Sequence, residues 1–214
     1  MSKKPLSPIT DTPGNDFLSL LKQNTQPLHQ ALERTSMSRL LMSPTLDRAT
    51  YARILYGFYG AFTSLEFFLT KVATLIKTDE LEGLIDLRAP LALEDIRDLT
   101  GTFDAALPLD KPFTKLDYSI PAALGVLYVL EGSKLGGKVI SRQIQRTIGI
   151  TPTEGGRFFA NAEGLGLAGW QLFRVQCATY AECYPEHNEA IIQSANDTFS
   201  YLHDYFVRHY SALA

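Results

Sequence analysis

The sequence predicts a single all-α domain of six to eight helices, on three observations. From Asp16 onward, apolar residues recur at intervals of three, four and seven almost everywhere, which is the spacing of a helix face. No stretch of useful length alternates apolar with polar residues, and no segment repeats another. Helix-breaking residues (Pro108, Pro112, Gly149, Pro152, Pro185) fall between the periodic stretches. A chain of 214 residues is long enough to bury one substantial core. The expected division is a flexible N-terminal arm over 1–14, rich in proline and polar residues, and a helical domain over 15–214.

Each element follows from its own pattern. Phe17, Leu18, Leu21, Leu28 and Leu32 predict a first long helix ending near Arg34. Pro27 lies inside it and costs roughly 3 kcal/mol unless it opens a new helix or marks a kink. After Ser43-Pro44-Thr45, an apolar stripe from Tyr51 through Ile54, Leu55, Phe58, Tyr59, Phe62 and Leu65 to Leu69 predicts a second, with Thr45 or Asp47 as its cap. Weaker helical patterns cover 93–107 and 186–212, and stronger ones cover 118–147 and 162–184.

Composition narrows the function. Twenty basic against 23 acidic side chains leave a net charge of −3, which argues against nucleic acid as the main partner. Cys177 and Cys183 match no common zinc spacing and read as reduced thiols. No apolar run reaches the roughly 18 residues of a membrane span, and the N-terminus lacks a secretory pattern. The expected compartment is the cytoplasm, with no membrane partner.

Two places depart from a plain bundle. Lys22, Thr25, Gln26, His29 and Glu33 share one face of the first helix. An imidazole one turn before a carboxylate suits a metal ligand, while an isolated histidine on such a face is ordinarily a solvated surface residue. The second place is Tyr128-Val-Leu-Glu-Gly-Ser-Lys-Leu-Gly-Gly-Lys-Val-Ile140, where Gly132, Gly136 and Gly137 interrupt a helical pattern at a cost of roughly 1 kcal/mol each relative to alanine. Gly132 and Gly136 share a face, leaving bare backbone on which a broad flat ligand or a neighbouring helix can lie. A phosphate loop is excluded, because no strand precedes the glycines and the spacing is wrong. Lys134, Lys138, Arg142 and Arg146 recur every four residues about 160–200° from Gly132. Such a row is either solvated or steers an acidic partner.

Together these residues resemble the heme oxygenase family. The resemblance runs from about residue 17 over most of the chain, through Leu28-His29-Gln-Ala-Leu-Glu33, Ser64-Leu65-Glu66 and Tyr128 to Gly137. The last segment is similar to the bacterial, biliverdin-producing branch. The resemblance implies heme between the first helix and a glycine-kinked distal helix, serving as both substrate and cofactor, with iron bound by His29. Glu33 would support that ligand, while Gly132, Ser133, Gly136 and Gly137 would form the catalytic distal wall. Thr25 and Tyr128 join the expected heme contacts. Lys22 and Arg174 match propionate-binding positions of the animal enzymes, and Phe199 and Phe206 match two late aromatic contacts. An aspartate that organises water in the animal enzymes falls on Ser133, so proton delivery would need a different network.

The implied reaction cleaves heme with oxygen to biliverdin, carbon monoxide and ferrous iron. One neutral histidine leaves the opposite iron face open. With no flavin or nicotinamide motif in the chain, electrons would come from a ferredoxin or flavin reductase. A heme carrier using the same residues stays open, as does another enzyme on the same fold. A thiaminase-like hydrolase needs a cysteine nucleophile in the pocket, and a di-iron oxidase needs several inward Glu and His ligands, a pattern that His187, His203 and His209 do not make.

Overall fold

The computed structural model describes residues 13–77, 79–81, 83–101, 113, 116–160 and 166–211. Among these there are eight α-helices and no strand: α1 (Pro13–Glu33), α2 (Ser36–Leu41), α3 (Arg48–Ile76), α4 (Ala89–Thr100), α5 (Ile120–Ile148), α6 (Arg157–Ala160), α7 (Gly166–Cys183) and α8 (Asn188–Ser211). Of the expected arm over 1–14, residues 1–12 lie outside the described residues, and α1 takes in the last two, Pro13 and Gly14. The outer parts of two expected helices, 102–107 and 162–165, also lie outside them.

Local chemistry accounts for the helix ends. Asp47 caps α3 by accepting from Thr50 N–H at 2.7 Å, and Ser119 caps α5 through Ala122 N–H. Gly101 and Gly149 close α4 and α5 in the left-handed conformation. Pro27 does not break α1, which continues through Glu33. Side-chain donors tighten the turn ahead of it, with Asn24 Nδ2 on the Leu20 carbonyl and Thr25 Oγ1 on the Leu21 carbonyl, both at 2.8 Å. Two short helices were invisible to periodicity, because α2 and α6 have 6 and 4 residues and show little more than one turn of pattern.

The core is one continuous cluster whose centre is aromatic. Phe58 packs against Phe62, Phe158, Phe159 and Phe206 at ring separations of 4.7–6.0 Å. Contacts at both ends set the directions of three helices. At the N-terminal end of α8, Ser194 Oγ donates to the Ala122 carbonyl of α5 at 2.7 Å. The two helices meet closely because Gly125 has no side chain, and an added Cβ would lie 2.5 Å from that of Ser194. At the other end, Gly137 of α5 sits on the Phe159 carbonyl, and Phe159 reaches Phe206 of α8 through Phe58. On α1, His29 touches Phe199, and Met37, just beyond α1, lines one cavity with His209. Helices α1, α5 and α8 therefore run in the same sense, and that shared direction builds the site.

Candidate functional site

A side-chain hydrogen bond joins helices α1 and α5. Thr25 Oγ1 lies 3.3 Å from the Tyr128 phenol oxygen, and Thr25 is 1% exposed. The threonine hydroxyl is shared between the Leu21 carbonyl at 2.8 Å and the Tyr128 phenol oxygen, to which it donates. One turn beyond this bond, the two parallel helices present His29 and Gly132. Two turns beyond, they present Glu33 and Gly136.

The α5 wall of this cleft is bare and apolar. A Cβ added at Gly136 meets nothing within 4 Å, and one at Gly132 meets only Trp170, at an ordinary 3.7 Å. Leu135 and Val139 lie within about 60° of Gly132 around the helix and are 45% and 55% exposed. Large apolar side chains this open beside glycines suit a broad apolar ligand that covers them. Helix α7 closes one side, where Trp170 stacks on Phe173 and tilts against Tyr128. Arg174 lies one turn further along α7, on the Trp170 face, and is half-buried. Lys22 is exposed on α1, one turn before Gln26 on the His29 face.

The α1 wall carries the candidate ligand. The His29 side chain is 53% exposed, with its ring held edge-on by Phe199 at 5.5 Å. Glu33 Oε1 lies 3.8 Å from His29 Nε2, near enough to attract an imidazolium but beyond hydrogen-bond distance. Phe206, one heptad beyond Phe199, is 2% exposed and belongs to the aromatic core beside Phe58.

The three glycines divide into two roles. Gly136 faces open space and Gly132 faces Trp170, whereas Gly137 faces α6, where an added Cβ would lie 2.7 Å from the Phe159 carbonyl oxygen. Ser133 points along the same flank as Gly137. Its Oγ donates to the Leu130 carbonyl at 2.6 Å and accepts from Arg88 Nη1 at 2.8 Å.

Lys134 corrects the expected basic row. It is 5% exposed and pairs with Glu131 at 2.7 Å and Asp86 at 2.9 Å, because the chain ahead of α4 covers α5 at this turn. The solvent row shortens to Lys138, Arg142 and Arg146. Periodicity also missed Arg88, Glu66 and Trp170. Buried charge leaves no periodic mark, although Trp170 is the chain's one tryptophan, and Leu135 and Val139 on the glycine face were a readable sign of an apolar wall.

Glu66 caps α4 by accepting from the N–H groups of Arg88 (2.7 Å) and Ala89 (3.0 Å). Burial pushes its carboxyl up to about 7, against the pull of these donors and the Arg88 charge, with Asp86 also raising it. A carboxyl raised in the folded state contributes stability that is complete below the unfolded value of about 4.5 and is lost as pH rises through 7. Glu66→Gln should remove this fall, on the order of 3 kcal/mol. Thermal melts at about pH 5 and pH 8 check it, and a Tm drop equal to that of wild type refutes it.

The alternatives find little here. Cys177 is buried, and burial pushes its thiol up to about 12, which suppresses the thiolate a nucleophile needs. Among the described residues, no three His, Cys, Asp or Glu side chains are grouped to hold a metal ion. A cavity of about 250 Å³ near the end of α8, lined by Met37, Arg53, His209 and others, includes neither His29 nor the glycines. No helix of the described residues is long and apolar enough to cross a membrane.

Known proteins resemble this chain in sequence and in fold. The heme oxygenase of Xanthomonas campestris is 33% identical over 111 residues, 51% of this chain and 62% of that protein. The match therefore spans less than two thirds of that relative. Heme oxygenase PigA of Pseudomonas aeruginosa is 27% identical over 186 residues, 86% of this chain and 88% of its own. Two solved structures share the fold. The heme oxygenase of Leptospira interrogans has a TM-score of 0.69 at 21% identity, covering 90% of this chain and 98% of its own. That of Neisseria meningitidis, solved with NO and CO bound, has 0.65 at 23% identity, covering 91% and 92%. A family profile described as heme oxygenase matches residues 15–208. With a match over nearly the whole helical chain, this protein belongs to the heme oxygenase family.

Proposed function

We propose that the helical domain, residues 15–214, binds heme in the cleft between α1 and α5. It would cleave the ring with oxygen and external electrons to biliverdin, carbon monoxide and ferrous iron. The observation that carries this reading is the exposed His29 imidazole on α1 paired with a side-chain-free apolar strip on α5, one and two turns past the Thr25–Tyr128 bond. A flat macrocycle fits such a wall. Leu135 and Val139 lose water when it is covered, and the absent side chains at Gly132 and Gly136 leave room above the ring. Heme supplies the redox chemistry once bound.

The chain's own groups have separate tasks. His29 would hold the iron through a ring nitrogen, and Phe199 limits rotation of the imidazole. Glu33 lies beside the ring, 3.8 Å from its Nε2. Lys22 and Arg174 provide cations for the two propionates at the cleft mouth. With Ser133 Oγ engaged by Arg88 and Leu130, backbone carbonyls beside Gly132 and Gly136 are the acceptors left to hold water on the distal side. The exposed Lys138, Arg142 and Arg146 would steer an acidic electron donor such as a ferredoxin, or a flavin reductase. The compartment that fits these partners is the cytoplasm.

Incubating the protein with heme, oxygen and ascorbate tests this. Loss of the Soret band to biliverdin absorption is expected. A Soret band that persists unchanged identifies a carrier and overturns the catalytic reading. The propionate assignment has its own test. Arg174→Ala and Lys22→Ala should each lower heme affinity only about fivefold, roughly 1 kcal/mol, because solvent screens a partly exposed pair. In-plane rotation of the ring, however, decides which meso carbon is cut, so both variants should release a mixture of biliverdin isomers. Product chromatography checks this, and a single unchanged isomer from the double variant makes both residues ordinary solvated charges.

A further inference from the structure

The segment Asp86-Leu87-Arg88, immediately ahead of α4, lies against α5 on the flank beside the glycine strip. Glu66 of α3 anchors it through the N–H groups of Arg88 and Ala89. The Arg88 side chain, 2% exposed, lies over the touching rings of Phe158 and Phe62, its guanidinium 4.5 and 5.2 Å from their centroids. Its guanidinium ends on two helices at once, donating to Ser133 Oγ of α5 at 2.8 Å and to the Phe158 carbonyl of α6 at 2.9 Å. Two residues earlier, Asp86 accepts from Lys134 at 2.9 Å. Adjacent residues of α5, Ser133 and Lys134, are therefore both gripped by one short segment.

They directly follow Gly132, in the turn that needs such a grip most. On its cleft side, Gly132 and Gly136 provide no packing, and glycine weakens a helix interior through backbone entropy. On its other side, Gly137 rests on the Phe159 backbone, one residue from the Arg88 acceptor at Phe158. We infer that Arg88 is a positioning residue, which sets the depth of the α1–α5 cleft by holding the Gly132–Gly137 turn against α6. Hydrogen bonds from an ionised donor are the stronger kind, and a planar fork reaches two acceptors at once. Lysine keeps the charge but offers neither the fork nor a flat face for the two rings.

This inference rests on the cleft being the heme site, and the test separates the two. Arg88→Met, Arg88→Lys and Ser133→Ala are compared with wild type in the full chain. In the heme-free proteins, hydrogen exchange of amides 132–137 is expected to rise at least tenfold in Arg88→Met and Ser133→Ala, with amides of α3 and α8 unchanged. Arg88→Lys should restore less than half of that protection. Combining Arg88→Met with Ser133→Ala should add nothing beyond Arg88→Met alone. In the heme-loaded proteins, affinity should stay within threefold of wild type while the biliverdin isomer ratio shifts. Exchange that rises equally throughout the fold makes Arg88 a general stabiliser and overturns the proposal. So do exchange unchanged at 132–137, or a wild-type isomer ratio despite faster local exchange. Should Arg88→Met fail to fold, Ser133→Ala decides the matter, because it removes the α5 acceptor and leaves the buried cation its Phe158 partner. Should wild type bind no heme, the functional reading falls, and the heme-free exchange still tells whether Arg88 holds the turn.

Discussion

His29→Ala is expected to abolish heme degradation while leaving the fold intact. Losing even a partner of a metal-bound histidine typically costs 10–100-fold, so removing the ligand itself should leave at most about one hundredth of wild-type turnover. The histidine-ligated heme spectrum should disappear with it. The fold should not follow, because the side chain is 53% exposed and its ring contact is a single edge on Phe199. Surface changes of this kind usually stay within about 0.5 kcal/mol, so the melting temperature should be nearly unchanged. Heme titration followed by absorbance, run beside thermal melts, checks both halves. An unaltered spectrum removes His29 from the iron and sends the search to another face.

Gly136→Leu and Gly137→Ala should fail in opposite ways, although the residues are adjacent. At Gly136 the added side chain enters open space, so stability should hold or rise by up to roughly 1 kcal/mol from better helix propensity. The same side chain occupies the room proposed for the ring and its oxygen, so conversion to biliverdin should collapse. At Gly137 even a methyl group lies 2.7 Å from the Phe159 carbonyl oxygen, which forces backbone to move. Overpacking of this kind costs about 1–3 kcal/mol, or about 2–12 °C in Tm for a domain of this size. Molecules that do fold should still take up heme. If both variants lose stability and keep activity, the glycines serve helix packing alone and the distal-wall assignment is wrong.

The helices were legible because their signals are local. The stripe from Tyr51 to Leu69, the Asp47 cap and the Gly149 stop each lie within a few residues of what they determine, and all three stand in the structure. The polar face around His29 and the glycine face of α5 were readable for the same reason, since 3.6-residue periodicity alone puts them on one side of a helix. α2 and α6 were not readable, being too short to show a period. The resemblance to a family added what periodicity lacks, a reason to place those two faces opposite each other.

The remainder belongs to contacts between residues far apart in the chain. Thr25 and Tyr128 are 103 positions apart, and their bond is what ties α1 to α5. Lys134 has the spacing of a solvated row, yet it is buried because Asp86, 48 residues away, is brought over it. Gly136 and Gly137 are the same residue type in adjacent positions, and only the arrival of α6 leaves one open and makes the other a packing contact. By itself, then, the sequence determined which residues share a helix face, because the helix repeat is a local property of the backbone. Which face meets solvent, ligand or another helix was decided by the tertiary structure, because burial depends on what distant segments bring alongside.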